Sequence, residues 1–250
     1  MDVEGEVGRP SARRRPEVAI ALDVASLDKA LRLVDVLGPR ATLFKVGLEL
    51  FARAGPGAVE ALRRRGKRVF LDLKLHDIPN TVGRAVTAVA EAGADLLTVH
   101  AAGGGRMMEA AAEAAATAGG DLRLVGVTVL TSLSAGDLAH VLGREVPGVE
   151  DEVLRLAELA VSSGLDGVVA SALEVAAIRR AIGPEPLVVT PGIRLPGGAH
   201  HDQERVSGPA EAVRKGADCL VVGRAVTAAP EPRVALEAIL GEITSAQPFP

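Results

Sequence analysis

Aromatic residues are nearly missing from this chain: of 250 residues four are Phe, and none is Tyr or Trp. Single-stranded nucleic acids are usually held by stacking bases on aromatic rings, and duplexes by basic surfaces. With 2% aromatics and a net charge of −4 the chain offers neither, so no nucleic acid partner is expected. Cysteine is equally scarce. The single Cys219 cannot close an internal disulfide or build a multi-Cys zinc site, which fits a reducing cytoplasm. Apolar runs of membrane-spanning length are absent, and the polar start MDVEGEVGRPSARRRP lacks the apolar stretch of a signal peptide. Neither a membrane nor secretion is expected. Lysine is the last scarcity: only Lys29, Lys45, Lys67, Lys74 and Lys215 stand among 28 basic residues. Where Arg is the default cation, a Lys kept in an apolar strand points to a need for a compact ammonium that can give up a proton.

What the chain does have is aliphatic material, 48% hydrophobic residues, at a length that suits one large α/β domain. Residues 1–16 and 245–250 lack periodicity and read as tails, the ArgArgArg at 13–15 included. Between them, over 17–244, eight short β-branched or apolar runs are predicted strands: 18–23, 42–47, 68–73, 95–100, 123–129, 166–170, 187–190 and 218–222. Helical segments follow them at 26–37, 55–65, 81–92, 105–118, 150–163, 172–181, 207–215 and 225–240. Repeated βα units with apolar strands imply a parallel sheet, and eight of them predict a single-domain (β/α)8 TIM barrel over an open doubly wound sheet. The phrases RRRGKRVFLD, EAGADLLTV, SSGLDGVV and RKGADCLVV each carry a Gly just before a strand, a helix C-cap reused around the barrel.

In such a barrel the active site lies at the C-terminal ends of the strands. The period of two puts Val69, Leu71, Leu73 and Leu75 on one face of the third strand and Phe70, Asp72, Lys74 and His76 on the other. The first set suits packing against helices, so Asp72 and Lys74 point into the barrel mouth. Asp23, Lys45, His100 and the nearby Asp77 join them at the ends of their own strands. One strand-end Asp serves as easily for a helix N-cap, and Asp23 or His100 alone divides evenly between structure and function. Several charges in one apolar mouth are different, because their desolvation is a penalty that packing does not require. Lys45, Asp72 and Lys74 are therefore the functional candidates.

The seventh strand runs into TPGIR (190–194) and the eighth into VGRAV (222–226), with the Gly-rich LPGGAHHDQER between. Loops in these places, ending at a helix N-terminus, are the usual phosphate cradle of such barrels. Gly192 and Gly223 allow close backbone approach, and Arg224 and Arg194 supply charge-assisted donors.

These segments together resemble the orotidine 5′-phosphate decarboxylase family, bacterial type. The resemblance is carried by ALDVAS at 21, FKVGLELF at 44, VFLDLKLHDIPNTV at 69, TVHAAGG at 98, GVTVLTSL at 126, VTPGIR at 189, DQ at 202 and ADCLVVGRAV at 217. DLKLHDIPNT is its most specific part, joining the family's DxKxxD core to IPNT. The resemblance implies a carboxy-lyase of pyrimidine (UMP) biosynthesis that needs no metal or organic cofactor. It further implies a homodimer with shared sites, in which the partner supplies Asp77 and Thr81. Lys74 would donate a proton to C6 of the pyrimidine and Asp72 would sit against the departing carboxylate. Asp23 and Lys45 would contact the ribose hydroxyls, and Thr131 would lie near the base and ribose. Pro191, Gln203, Gly223 and Arg224 would surround the phosphate, with Arg194 beside them. His200 and His201 fall outside that pattern and read as solvated loop more readily than as metal ligands.

Relatives with the same DxKxxD core, 3-keto-L-gulonate 6-phosphate decarboxylase and hexulose 6-phosphate synthase, use magnesium and carry a carboxylate where this chain has Lys45. The same strand-end residues would also suit a Schiff-base aldolase or a non-catalytic phosphoribosyl-binding barrel. Decay to a mere binder should have spoiled Lys45, Asp72, Lys74 or Asp77, and all four stand.

Overall fold

The structure is a computed structural model that describes residues 15–194 and 207–246. The tails for the most part, and the predicted His200, His201 and Gln203, lie outside the described residues. Eight strands run β1 (Glu17–Ala21), β2 (Leu43–Gly47), β3 (Arg68–Leu75), β4 (Leu96–His100), β5 (Arg123–Val127), β6 (Gly167–Val169), β7 (Leu187–Thr190) and β8 (Cys219–Val222). Each pairs in parallel with the next, and β8 pairs with β1, closing the barrel. The expected (β/α)8 architecture is the observed one.

Alternation along the strands divides the apolar residues into two layers. Ile20, Phe44, Leu71, Leu97, Val168 and Leu220 face outward into the belt between strands and helices. Ala19, Leu43, Phe70, Leu96, Val125 and Val189 face the lumen and fill it from below. Two Phe are the only aromatics among the largest fully buried side chains, so the core is aliphatic, as the composition requires. Cys219 closes the bottom of the lumen, where burial first of all pushes its thiol pKa far up and leaves it inert.

The helices are α1 (Leu27–Leu37), α2 (Leu48–Ala54), α3 (Pro56–Arg63), α4 (Pro79–Glu91), α5 (Gly105–Ala118) and α6 (Ala135–Leu142). They continue with α7 (Val149–Ser162), α8 (Val175–Ile182), α9 (Pro209–Lys215), α10 (Arg224–Thr227) and α11 (Pro232–Ser245). The single helix expected over 225–240 is two, because Pro230 lacks an amide donor and Pro232 starts a fresh first turn. Two helices, α2 and α6, lie outside the segments expected to be helical. α2 follows β2 without a linker, and α6 opens on a capping box between Ser134 and Asp137. No helix among the described residues is long and apolar enough to cross a membrane.

The repeated Gly before a strand acts as expected. Gly66, Gly93, Gly164 and Gly216 all have positive φ, the turn that ends one helix and aims the next strand. The Asp that follows in three of the phrases has its own task. Asp95, Asp166 and Asp218 accept the amides of Val69, Leu124 and Val188, each on the preceding strand, at 2.7–2.8 Å. They tie the bottom rim together, while the loops at the opposite end remain available for chemistry.

Gly167 on β6 is packed against β7 so closely that a Cβ there would lie 2.6 Å from the Leu187 nitrogen. Gly167→Ala should therefore lower the unfolding free energy by about 3 kcal/mol or more, as an overpacked backbone does. Gly120→Ala, which meets nothing within 4 Å, should stay within about 0.5 kcal/mol of wild type. Urea unfolding of the two variants checks both.

Candidate active site

The mouth of the barrel holds a cavity of about 320 Å³. Its polar lining includes Asp23, Lys45, Asp72, Lys74, Thr131, Arg194 and Arg224, together with Pro191, Gly192 and Gly223. Every substrate-contact residue anticipated within one chain is thus brought to one place, apart from Gln203, which lies outside the described residues.

The array is built from strand ends. β1 stops at Ala21, short of the expected 18–23, which leaves Asp23 on a loop above the rim, and Thr131 lies on the loop after β5. β3 runs on to Leu75 and carries Asp72 and Lys74 within it. Lys45 is 8% exposed, and its Nζ lies 3.3 Å from Asp23 Oδ1 and 3.3 Å from Asp72 Oδ2. Lys74 Nζ donates to Asp72 Oδ1 at 2.8 Å. Asp72 therefore stands between two ammonium groups, one on each oxygen. Burial alone would raise its pKa, but the charges of Lys45 and Lys74 and their hydrogen bonds outweigh it, and the carboxyl lies below its ordinary value.

β3 is irregular where it matters. Leu71 pairs with Leu97 of β4 but Leu75 pairs with Val99, so the ladder slips between them. Within the slip Lys74 takes φ 50, the one positive φ outside glycine among the described residues. Its amide donates to Thr98 Oγ1 at 2.7 Å, and Thr98 Oγ1 lies 3.2 Å from Asp72 Oδ1. Thr98 was not singled out from the sequence. Its signal is a hydroxyl in LLTVH at the same inward parity as Leu96, in a strand with no other polar residue before His100.

Arg194 and Arg224, which follow β7 and β8, also line the cavity. Burial first, then the charge of Arg224, lowers the pKa of Arg194, and an Arg stays charged regardless. Like charges held together in a pocket suit an anionic guest carrying more than one oxygen.

Asp77 and Thr81 do not line this cavity. Asp77 is exposed just before α4, where Oδ1 accepts the Ile78 amide at 2.6 Å, and Thr81 sits in the first turn of α4. His100 is also outside the cavity and stacks on His76 with ring centroids 5.2 Å apart. Burial, then His76 and Lys74, hold its imidazole below its ordinary pKa, and Nδ1 accepts the Ala102 amide at 3.3 Å. That is a structural role, one of the two readings open for it.

Among the described residues no group of three or more His, Cys, Asp or Glu could hold a metal ion. Asp23 and Asp72, the carboxylates nearest each other in role, are already bridged by the Lys45 ammonium.

A closed parallel barrel with a Lys/Asp array at its mouth and paired Arg beyond it defines an enzyme class: barrels that work on small phosphorylated substrates. Within that class the chain belongs to the orotidine 5′-phosphate decarboxylase / HUMPS family, whose model matches residues 16–239. It is 51% identical to an orotidine 5′-phosphate decarboxylase of Moorella thermoacetica over 92% of each chain. It is 52% identical to one of Anaeromyxobacter sp. (strain K), covering 92% of this chain and 98% of that one. Among solved structures, the orotidine 5′-phosphate decarboxylase of Lactobacillus acidophilus superposes with a TM-score of 0.82 at 37% identity, covering 92% of this chain and all of that one.

Because the Asp72 pKa is lowered in the folded protein, its ionised form adds stability above the ordinary carboxylate pKa of about 4. That contribution is lost as pH falls through the lower folded value. Asp72→Asn should destabilise by about 1–3 kcal/mol at pH 7, since it takes the carboxylate from Lys74 and one of two from Lys45. The difference from wild type should shrink below about pH 4, as urea unfolding at pH 7 and pH 3 would show.

Proposed function

We infer that this chain decarboxylates orotidine 5′-phosphate to UMP and CO2, with Lys74 as the proton donor to C6. The observation that carries the reading is the array itself: Lys74 held at 2.8 Å by Asp72, which is held in turn by Lys45, in a cavity whose far end carries Arg194 and Arg224.

The phosphate is taken by Arg224, Arg194 and the backbone at Gly223, with Pro191 packed beside it. Gln203 joins them. Asp23 and Lys45 take the ribose hydroxyls, and Thr131 takes the edge of the base. This seats C6 and its carboxylate over Asp72 and Lys74. The C6–carboxylate bond breaks, CO2 leaves, and the electron pair stays on C6 in the ring plane, where the pyrimidine π-system does not readily spread it. The Lys74 ammonium stabilises that charge as it develops, then transfers its proton to C6 to give UMP. Solvent restores the proton. An Arg could do the first task but is too weak an acid for the second.

The site is completed by a second copy of the chain. Asp77 and Thr81 do not line the cavity of their own barrel, and in a two-fold homodimer they would extend the Lys/Asp alternation of the partner's site. The reaction draws on no metal or organic cofactor: the cation that a metal would supply is Lys74, with Lys45 between the two carboxylates. The position of Lys45 also argues against the magnesium-dependent sugar-phosphate relatives. A biosynthetic place in the cytoplasm accords with the scarcity of cysteine.

Mixing the protein with orotidine 5′-phosphate should give the absorbance loss of decarboxylation, undiminished by EDTA. Lys74→Ala should lower the rate by at least about a thousandfold. Wild-type inactivity, or undiminished turnover by Lys74→Ala, would defeat the assignment; loss of activity in EDTA would defeat the metal-free reading. Mixing inactive Lys74→Ala and Asp77→Asn chains should restore about a quarter of wild-type activity, because a two-fold hybrid carries one intact site. No recovery after subunit exchange would count against shared sites.

A further inference from the structure

We propose that Thr98 is a positioning residue of the decarboxylation, acting through the Asp72 carboxylate and the left-handed backbone of Lys74. The proposal rests on the reading of Lys74 as the proton donor. It starts from the ladder between β3 and β4. Leu71 pairs with Leu97 and Leu75 with Val99, so three residues of β3, Asp72 to Lys74, stand opposite the single residue Thr98. A bulge of this kind re-aims a side chain, but it deprives the extra residues of their regular ladder bonds. Here it also puts Lys74 at φ 50, a conformation that is strained for a residue with a Cβ and persists only where the surroundings hold it.

Thr98 is what holds it. Its Oγ1 accepts the Lys74 amide at 2.7 Å, which leaves the hydroxyl proton free to be donated to Asp72 Oδ1 at 3.2 Å. The same Oδ1 accepts Lys74 Nζ at 2.8 Å. The result is a closed ring: backbone of Lys74, hydroxyl of Thr98, carboxylate of Asp72, ammonium of Lys74. Both ends of the catalytic lysine are fixed through one oxygen of Asp72. Thr98 is fully buried and does not line the cavity, so neither water nor substrate can replace the hydroxyl. Its β-branched side chain is stiff about χ1, which keeps the hydroxyl on the bulge.

Thr98→Val keeps shape and removes the hydroxyl; Thr98→Ser keeps the hydroxyl. In Thr98→Val, kcat should fall about tenfold or more while KM changes less than about threefold, because the phosphate and ribose contacts lie elsewhere. The acid limb of its kcat profile should move to higher pH, since Asp72 loses a donor to its ionised form. Thr98→Ser should restore kcat to within about threefold of wild type. Thr98→Ala, too small to clash, reads the same loss should the Val chain not fold. Wild-type kcat and pH profile in the hydroxyl-free variants would overturn the proposal, as would Thr98→Ser failing as badly as they do. Full turnover by Lys74→Ala would remove the premise, and the proposal with it, whatever Thr98→Val does.

Discussion

Asp72 between two ammonium groups is the interaction on which the site depends. Burial alone would raise the pKa of this carboxyl, but the charges and hydrogen bonds of the two ammonium groups bring it below its ordinary value. Lys45 takes one oxygen and Lys74 the other. The arrangement fixes both ammonium groups on one carboxylate inside an apolar mouth. Removing Asp72 takes the carboxylate from Lys74 and one of two from Lys45, so the group behaves as a unit and not as independent contacts.

The barrel supplies the rigidity. Its lower rim is closed by three aspartates that hold neighbouring backbone amides, and its lumen is filled beneath the array by small aliphatic residues and Phe70. Phe70 and Asp72 share a face of β3, so the floor of the site and its central carboxylate come from one strand. Arg194 and Arg224, the proposed phosphate ligands, come from the opposite side, after β7 and β8. A substrate bound as proposed would be gripped at a distance from the bond that breaks, and that remote grip can be used in the transition state.

The barrel was legible in the amino-acid order because its strands are apolar runs and its helices are separated by glycine caps, both local signals. The inward parity of Lys45, Asp72 and Lys74 was legible for the same reason. The bulge in β3 was not: DLKLHD reads as unbroken alternation, and only the register against β4 reveals that Thr98 faces three residues at once. The split of the last helix could have been read from Pro230 and Pro232. α2 was hidden because GLELFARAG passes from strand to helix without a turn residue to mark the change. Asp77 looked like one more member of the cluster by spacing alone, yet it stands outside the cavity of its own chain, and the role proposed for it depends on a second copy that no local pattern can show.

The scarcity of lysine now has a physical shape. Lys67 clamps the carbonyls of Gly38 and Ala41 at 2.8 Å, Lys215 pairs with Glu211 on α9, and Lys45 and Lys74 form the array. Of these only Lys74 is proposed to give up its proton, and Lys74→Arg is therefore the most direct test. Arg keeps the charge and can still reach Asp72, so UMP affinity should stay within about tenfold of wild type. The single-turnover rate of orotidine 5′-phosphate decarboxylation should fall by at least about a thousandfold, because a guanidinium is too weak an acid to protonate C6 in time. An Arg variant that decarboxylates within about tenfold of the wild-type rate would contradict the assignment of Lys74 as the acid.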